Sequence, residues 1–477
     1  MTNNATRSER SRRLDGAAVH GERGQVAENS ARSADGLTAS RLFRADRRAA
    51  AVRAVLKTKG LYSFTSETER DAVATTLGDT YDAAWETVAP FYVRAVHRML
   101  GDLREEVARG ALLLVLGRDA ENIEKVIHWF DPRVRARCVD IRINRETIAN
   151  ALADRERNHG ETFPELAEMF GNLAWNPPTT DESMAGASTN LTTLLRRQGL
   201  PVDDPEPPHD LIVLDNGMRG TTRAALKQMY WPHARETLVR GFYLFRAGVY
   251  GDPQPNADRG YVYDLDAEAS NGGRNLDELP DDPDLKGLTF RTNTTLLLLE
   301  CLTSGPWLTP DRIDANGRSV RRLARNEPLL EEGLNPARRS ARFFNVRVFE
   351  GVLRIVRAAI GDCARYAALS ERGGGDVQEL LRPGHERMVR NARAWASDDL
   401  AAMHPVLREI AGTYCWTEYW PTIVELADAI DAAGLSAESA QGVWAAFDEL
   451  RDDTARAAFV AAAVRGRFTA QGSPSAP

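Results

Sequence analysis

Few cysteines, few lysines and no long apolar run set the first limits on this chain of 477 residues. The four cysteines, at positions 138, 301, 363 and 415, are too far apart for a CxxC metal knuckle or a disulfide framework, which favours a reducing compartment. No stretch approaches the ~20 consecutive apolar residues that span a bilayer, and no apolar segment follows the arginines near the N-terminus. We therefore expect a cytoplasmic protein without a signal peptide or a membrane partner.

The charge balance also lacks the basic excess of a nucleic-acid-binding protein. Acidic side chains number 68 and basic side chains 61, which gives a formal net charge of −7 and a pI near 5.8. Such a balance supplies no attraction to a phosphate backbone over the whole chain. No nucleic-acid partner is expected, and the function has to be sought in local groups of residues.

Composition divides the chain into regions. Residues at both ends are small or polar and bury too little apolar surface to offset the entropy of an ordered chain. The pattern predicts a disordered tail (1–45), an N-terminal helical region (46–110), a Rossmann-like α/β domain (111–310) with an insertion (158–209), a helical region (311–468) and a second disordered tail (469–477).

Repeated strand–turn–helix patterns predict the fold class. Short apolar runs at 111–116, 138–143 and 211–214 are each followed by a polar turn and a segment with helical spacing, and 238–245 supplies a fourth strand. Such units build a doubly wound parallel sheet. We therefore expect an α/β fold, with residues 251–290, rich in Gly, Pro, Asn and Asp, forming a long loop.

The turn after the third strand carries the strongest functional pattern. Within eight residues it holds carboxylate, amide, guanidinium, hydroxyl and glycine groups: Asp215, Asn216, Gly217, Arg219, Gly220, Thr221 and Thr222. Glycines let the backbone approach a ligand, and the start of the next helix favours an anion. The pattern predicts a phosphate-binding loop. A plain strand–helix turn with threonine as the N-cap is the structural alternative.

The turn after the first strand, Gly117, Arg118 and Asp119, is expected to open into the same crevice, because the carboxyl ends of parallel strands share one edge. Arg118 and Asp119 could instead form a surface ion pair. Glu300 follows four leucines, where an unpaired carboxylate would be costly. It is either paired with an arginine or part of the site with an altered pKa.

The segment 211–222 resembles the PRPP-binding loop of type I phosphoribosyltransferases. Asp215 matches the first acid of that loop, and Gly220, Thr221 and Thr222 match its phosphate cradle. Asn216 stands where the second acid is expected, and the loop is one residue shorter. The resemblance implies that Arg118 neutralises a leaving diphosphate and that Asp119 or Asp215 positions Mg²⁺ through water.

Residues 77–305 also resemble a little-characterised bacterial domain of polysaccharide and natural-product gene clusters, often fused behind a haloacid-dehalogenase-like hydrolase. That domain carries Arg-Asp-Gly and Asp-x-Gly-Trp-x-Gly-Thr turns and a glutamate in an apolar helix. Here the corresponding residues are Arg118-Asp119-Ala120, the 215–221 turn with Met218 at the tryptophan position, and Glu300. Residues 1–70 are too short to hold the hydrolase, so the resemblance implies a separate hydrolase partner.

The sequence leaves three functions open. The first is a transferase that moves a phosphoribosyl or glycosyl group from a phosphorylated sugar, with Asp119, Asp215, Arg118 and Arg219 as the catalytic residues, Mg²⁺ as a possible cofactor and an oligomer possible. The second is a haloacid-dehalogenase-like phosphohydrolase, which would gain support if Asp264 and Asp266 lay buried at a strand end. The third is a non-catalytic scaffold that binds a sugar phosphate or nucleotide.

Overall fold

A computed structural model describes most of the chain. The described residues are 36–59, 61–117, 120–164, 181–218, 220–248, 258–266, 310–321, 346–397, 399–414 and 453–465, together with isolated residues between these ranges. Arg118, Asp119, Arg219 and Glu300 lie outside the described residues.

Helices surround a central sheet. Those that precede the third strand are α1 (Gly36–Leu56), α2 (Glu67–Glu86), α3 (Val88–Ala108), α4 (Glu121–Phe130), α5 (Pro132–Arg135), α6 (Arg145–His159), α7 (Asp181–Met184) and α8 (Ala187–Arg197). Those that follow it are α9 (Thr221–Tyr230), α10 (Val346–Arg372), α11 (Val377–Ala396), α12 (Pro405–Tyr414) and α13 (Asp453–Val464). None of the helices in the described ranges is long and apolar enough to cross a membrane.

The sheet has six strands, of which five are parallel. They are β1 (Leu112–Leu116), β2 (Cys138–Ile141), β3 (Leu211–Met218), β4 (Val239–Gly248), β5 (Asp258–Asp266) and the short antiparallel β6 (Arg274–Asn275). Their order across the sheet is β2–β1–β3–β4–β5–β6. A separate antiparallel hairpin joins β7 (Pro310–Ile313) to β8 (Ser319–Arg321). The predicted α/β class with a parallel sheet is confirmed.

The sheet is covered on both faces, which explains the continuous apolar runs in its strands. Along β1, Leu113 and Val115 point to one side and Leu114 and Leu116 to the other, because successive strand residues alternate. The first side belongs to one buried cluster with residues of α2, α3, α4, α10 and α11. The second packs against α6, α8 and α9.

Two segments differ from the sequence-based predictions. Helix α1 begins at Gly36, inside the range for which a disordered tail was predicted, and Arg47 pairs with the buried Asp362 of α10 at 2.8 Å. Residues 258–266 form strand β5 where a long loop was expected. Pairing with β4 and burial of Tyr261, Val262 and Tyr263 stabilise this strand in spite of its polar flanks.

Candidate functional site

The strand order creates a crevice between β1 and β3. The chain leaves β1 toward β2 on one side and leaves β3 toward β4 on the other, so the two connections diverge at the carboxyl ends of β1 and β3. Open α/β sheets bind ligands at such points. We call the space between the first turn (117–120) and the second turn (215–220) the crevice.

In the first turn, Gly117 has a φ of 59°, a left-handed conformation that glycine adopts at little cost. Ala120 then precedes α4, whose start has no side-chain cap among the described residues. Asn122, in the first turn of this helix, is only 1% exposed. The Asn122 side-chain amide is therefore buried directly after the 117–120 turn. The sequence pattern did not single out this residue.

In the second turn, neighbouring side chains lie on opposite faces of the sheet. Strand β3 runs on to Met218, four residues beyond the predicted end, because it pairs with β4 along this length. Asp215 lies on the α9 side next to Tyr243, whereas Asn216 lies on the α3 side. Asp215 Oδ1 accepts a hydrogen bond of 2.7 Å from the Asn216 amide. The two residues that match adjacent acids of the phosphoribosyltransferase loop thus do not share one face.

A line of hydrogen bonds joins the two turns. Tyr92 Oη of α3 donates to Asn216 Oδ1 at 2.7 Å, and Asn216 Nδ2 donates to Thr303 Oγ1 at 3.3 Å. Asn122 Nδ2 donates to the Thr303 carbonyl oxygen at 2.5 Å. Thr303 Oγ1 itself donates to the carbonyl oxygen of Leu299. These bonds hold Thr303 beside both turns, and Glu300 lies outside the described residues.

The start of α9 sits over a buried polar group. Gly220, with a φ of 65°, precedes the helix without a side-chain cap among the described residues. A methyl group at this position would lie 2.7 Å from Asp258 Oδ2 and 3.0 Å from Tyr243 Oη, so only glycine fits. Arg223 of α9 pairs with Asp258 Oδ1 at 3.0 Å, and both side chains are almost fully buried.

This arrangement sets the electrostatics behind the second turn. Burial and the negative charge of Asp258 raise the pKa of Tyr243 well above its ordinary value, so the phenol stays neutral. Thr221 is buried, and Thr222 remains partly exposed. Of the predicted phosphate cradle, Gly220 and Thr221 are thus buried, and Thr222 has the partly exposed side chain. Asp258 is a further residue that the sequence analysis did not identify.

Asp264 and Asp266 lie on strand β5, near its carboxyl end, and not on an exposed loop. The Asp264 side chain is 14% exposed and pairs with Arg246 of β4 at 2.8 Å. Met218, Arg246 and Asp264 are in register on three adjacent strands, so this pair lies at the same edge as the second turn. The Asp266 side chain lies outside the described part of the chain.

Carboxylates of the site do not form a metal cluster within the described residues, where no group of three or more His, Cys, Asp or Glu side chains lies close together. Asp215 is the one predicted metal ligand that the described ranges include. Magnesium usually takes one or two carboxylates and keeps several waters or phosphate oxygens. A single half-buried Asp215 fits that type of coordination better than an all-protein cage.

Comparison with known proteins adds no relative: no family model, no curated protein and no solved structure matches this chain.

Proposed function

We propose that the chain binds a phosphorylated sugar in the crevice and transfers its phosphoribosyl or glycosyl group to an acceptor. The observation that carries the proposal is the strand order β2–β1–β3, which brings both polar turns of the sequence to one edge. The crevice of an open α/β sheet is the usual place for such ligands. In finer detail we propose a Rossmann-like or phosphoribosyltransferase-like fold.

The phosphate would rest on helix starts. Neither α4 nor α9 has a side-chain cap among the described residues, whereas α6 begins with a complete capping box from Asn144 and Thr147. Uncapped amides at a helix N-terminus are donors for an anion, and the helix dipole favours negative charge there. Arg118 and Arg219 would add charge in the two turns, and Arg223 offsets the nearby Asp258 carboxylate.

The chemistry would depend on position and charge. Asp215, and Asp119 in the first turn, would hold Mg²⁺ or sugar hydroxyls, and the bound ion would neutralise charge on the departing phosphate or diphosphate. Arg118 and Arg219 would stabilise the same leaving group. Holding donor and acceptor in one crevice turns a bimolecular reaction into an effectively unimolecular one.

A phosphohydrolase is the second candidate, because Asp264, one of the two aspartates on which it depends, lies near the carboxyl end of strand β5. A nucleophilic carboxylate, however, needs an open face toward its substrate, and the Arg246 guanidinium already pairs with this one. Asp264 also lies on β5, two strands away from β3, and so outside the crevice. Transfer chemistry at Asp215 is therefore the better-supported proposal.

A thermal-shift experiment tests the binding site. The full chain with Mg²⁺ is screened against PRPP, ribose 5-phosphate, nucleoside monophosphates and nucleotide sugars. A ligand at 100 times its Kd adds about 2.7 kcal/mol of stability. We expect a shift that disappears in Arg219→Ala and persists in Arg390→Ala, an exposed arginine of α11. No shift with any of these phosphates would contradict the proposal.

A turnover assay separates the three functions. Release of diphosphate or nucleotide that occurs only when an acceptor is added indicates transfer, and release of inorganic phosphate indicates phosphate hydrolysis. Asp215→Asn should abolish transfer without unfolding the chain, and Asp204→Asn, an exposed carboxylate before β3, should not. If Asp215→Asn lowers only ligand affinity and no turnover is found in the parent chain, the protein is a binding scaffold.

A further inference from the structure

Asn122 carries a buried acceptor without a donor. The side chain is 1% exposed, and none of the described residues donates a hydrogen bond to its Oδ1 atom. Buried polar atoms in folded proteins almost always have a partner in the protein or in ordered water. An acceptor left open beside the crevice therefore calls for an explanation.

The Asn122 amide cannot turn to find a partner. Its Nδ2 atom donates to the Thr303 carbonyl oxygen at 2.5 Å. Exchanging the amide oxygen and nitrogen would place two acceptors against each other. Thr303 is itself fixed by Asn216, which is held by Tyr92. The oxygen is thus held in one position by residues of three separate segments.

An asparagine elsewhere in the chain shows the usual arrangement. Asn391 of α11 is 6% exposed, and its Nδ2 donates to the Arg387 carbonyl oxygen at 2.7 Å. Its Oδ1 accepts from the His404 amide at 2.7 Å. Both ends of that amide are satisfied. Burial therefore does not by itself leave an asparagine oxygen without a donor, and the unpaired Oδ1 is a particular feature of Asn122.

We infer that Asn122 is a specificity-determining residue whose Oδ1 accepts a hydrogen bond from a sugar hydroxyl of the bound ligand. The inference rests on the proposed function and narrows its ligand to a polyhydroxylated sugar phosphate. A hydroxyl can donate to a neutral amide oxygen, whereas a phosphate oxygen without a proton cannot. In this arrangement the ligand phosphate binds at the N-termini of α4 and α9, and a hydroxyl of its sugar binds to Asn122.

The test compares two probes that share the phosphate group. Affinities for ribose 5-phosphate and for inorganic phosphate are measured by calorimetry on the full chain, on Asn122→Ala and on Asn391→Ala. One hydrogen bond corresponds to about a tenfold change in affinity. We expect Asn122→Ala to bind ribose 5-phosphate about tenfold more weakly and inorganic phosphate as before. Asn391→Ala should change neither of these two affinities.

The outcomes separate this inference from the proposed function. If ribose 5-phosphate binds the parent chain and Asn122→Ala retains the full preference over inorganic phosphate, Asn122 has no such role and the proposed function stands. If neither probe binds the parent chain, the proposed function fails and the inference with it. Asn122→Ser, which keeps a small polar side chain, supplies the same comparison if the alanine variant does not fold.

Discussion

At the scale of single residues, buried charges in this chain are tied to specific partners. Asp277, almost fully buried, accepts hydrogen bonds from Arg98 of α3 at 2.5 and 3.0 Å and lies 2.8 Å from His385 Nε2 of α11. Burial alone would raise the pKa of Asp277, but the hydrogen bonds from His385 and Arg98 outweigh it and lower the pKa below its ordinary value. The carboxylate is thus ionised in the folded chain.

Replacing Asp277 by asparagine should destabilise the fold by about 3–5 kcal/mol, because it leaves the half-buried Arg98 guanidinium without its counter-charge. Asp203→Asn, which breaks an exposed ion pair with Arg196, should cost far less stability, because solvent screens exposed pairs. Since the folded-state pKa of Asp277 is depressed, its contribution is present above the ordinary carboxyl pKa and is lost as the pH falls below it. Urea unfolding of both variants at pH 7 and pH 3 measures these costs and their dependence on pH. Equal costs for the two variants would argue against this assignment.

The charge of Lys125 of α4 should destabilise the folded chain, in contrast to the charge of Asp277. Its amine donates to the Arg357 carbonyl oxygen at 3.1 Å, and burial together with the charge of Arg357 lowers its pKa to about 8. The unfolded chain therefore holds this proton up to a higher pH, so stability rises as the pH passes from 8 toward 10.5.

Lys125→Met should consequently stabilise the chain at pH 7. The shift corresponds to roughly 3 kcal/mol, less about 1 kcal/mol for the lost hydrogen bond. The gain should shrink as the pH rises to 10. Exposed Lys57→Met is the matched control, for which no pH-dependent difference is expected. Denaturant unfolding curves at pH 7 and pH 10 test this prediction. A stability gain that is the same at both pH values would show that the charge of the Lys125 amine is not its cause.

At the scale of elements, the second turn depends on close contact between β3 and β4. Gly217 has a φ of 147°, and a methyl group there would lie 2.2 Å from the Phe245 carbonyl oxygen. Gly217→Ala should cost at least about 3 kcal/mol, because strain and a backbone clash add together. Gly160→Ala, also left-handed but with open space around it, should cost about 1 kcal/mol. Thermal unfolding of both variants tests this difference, and similar costs would show that β3 and β4 can move apart.

How much of this could be read from the sequence also varies by element. The apolar runs located β1 to β4 and placed both turns at one sheet edge, since local pattern suffices for buried parallel strands. Strand β5 was missed because its pairing with β4 outweighs polar flanks that are typical of a loop. Tyr92, Asn122 and Thr303 were missed because their contacts join residues more than 100 positions apart, which no local pattern encodes.

At the scale of the whole molecule, residues from distant parts of the chain share one core. Leu77 and Tyr81 of α2, strand β1 and Ile355 and Ile360 of α10 belong to the same buried cluster. A smaller, separate cluster is formed by Leu426, Ile430, Val443, Phe447, Val460 and Ala463. The helices before and after the sheet therefore close one of its faces together, so they should fold with the sheet and not as separate units.

Truncation tests this shared core. A chain of residues 36–340 lacks α10 and α11, and the apolar side of α2, α3 and α4 would be left in water. We expect it to lose near-UV circular dichroism and to show no cooperative urea transition, because its large buried surface has no partner. A chain of residues 36–414 retains those helices and, of the described residues, leaves out α13 and the smaller cluster, so it should unfold in one cooperative transition. Cooperative unfolding of the shorter chain would mean that the sheet and its N-terminal helices form an independent domain, and the crevice could then be studied without α10.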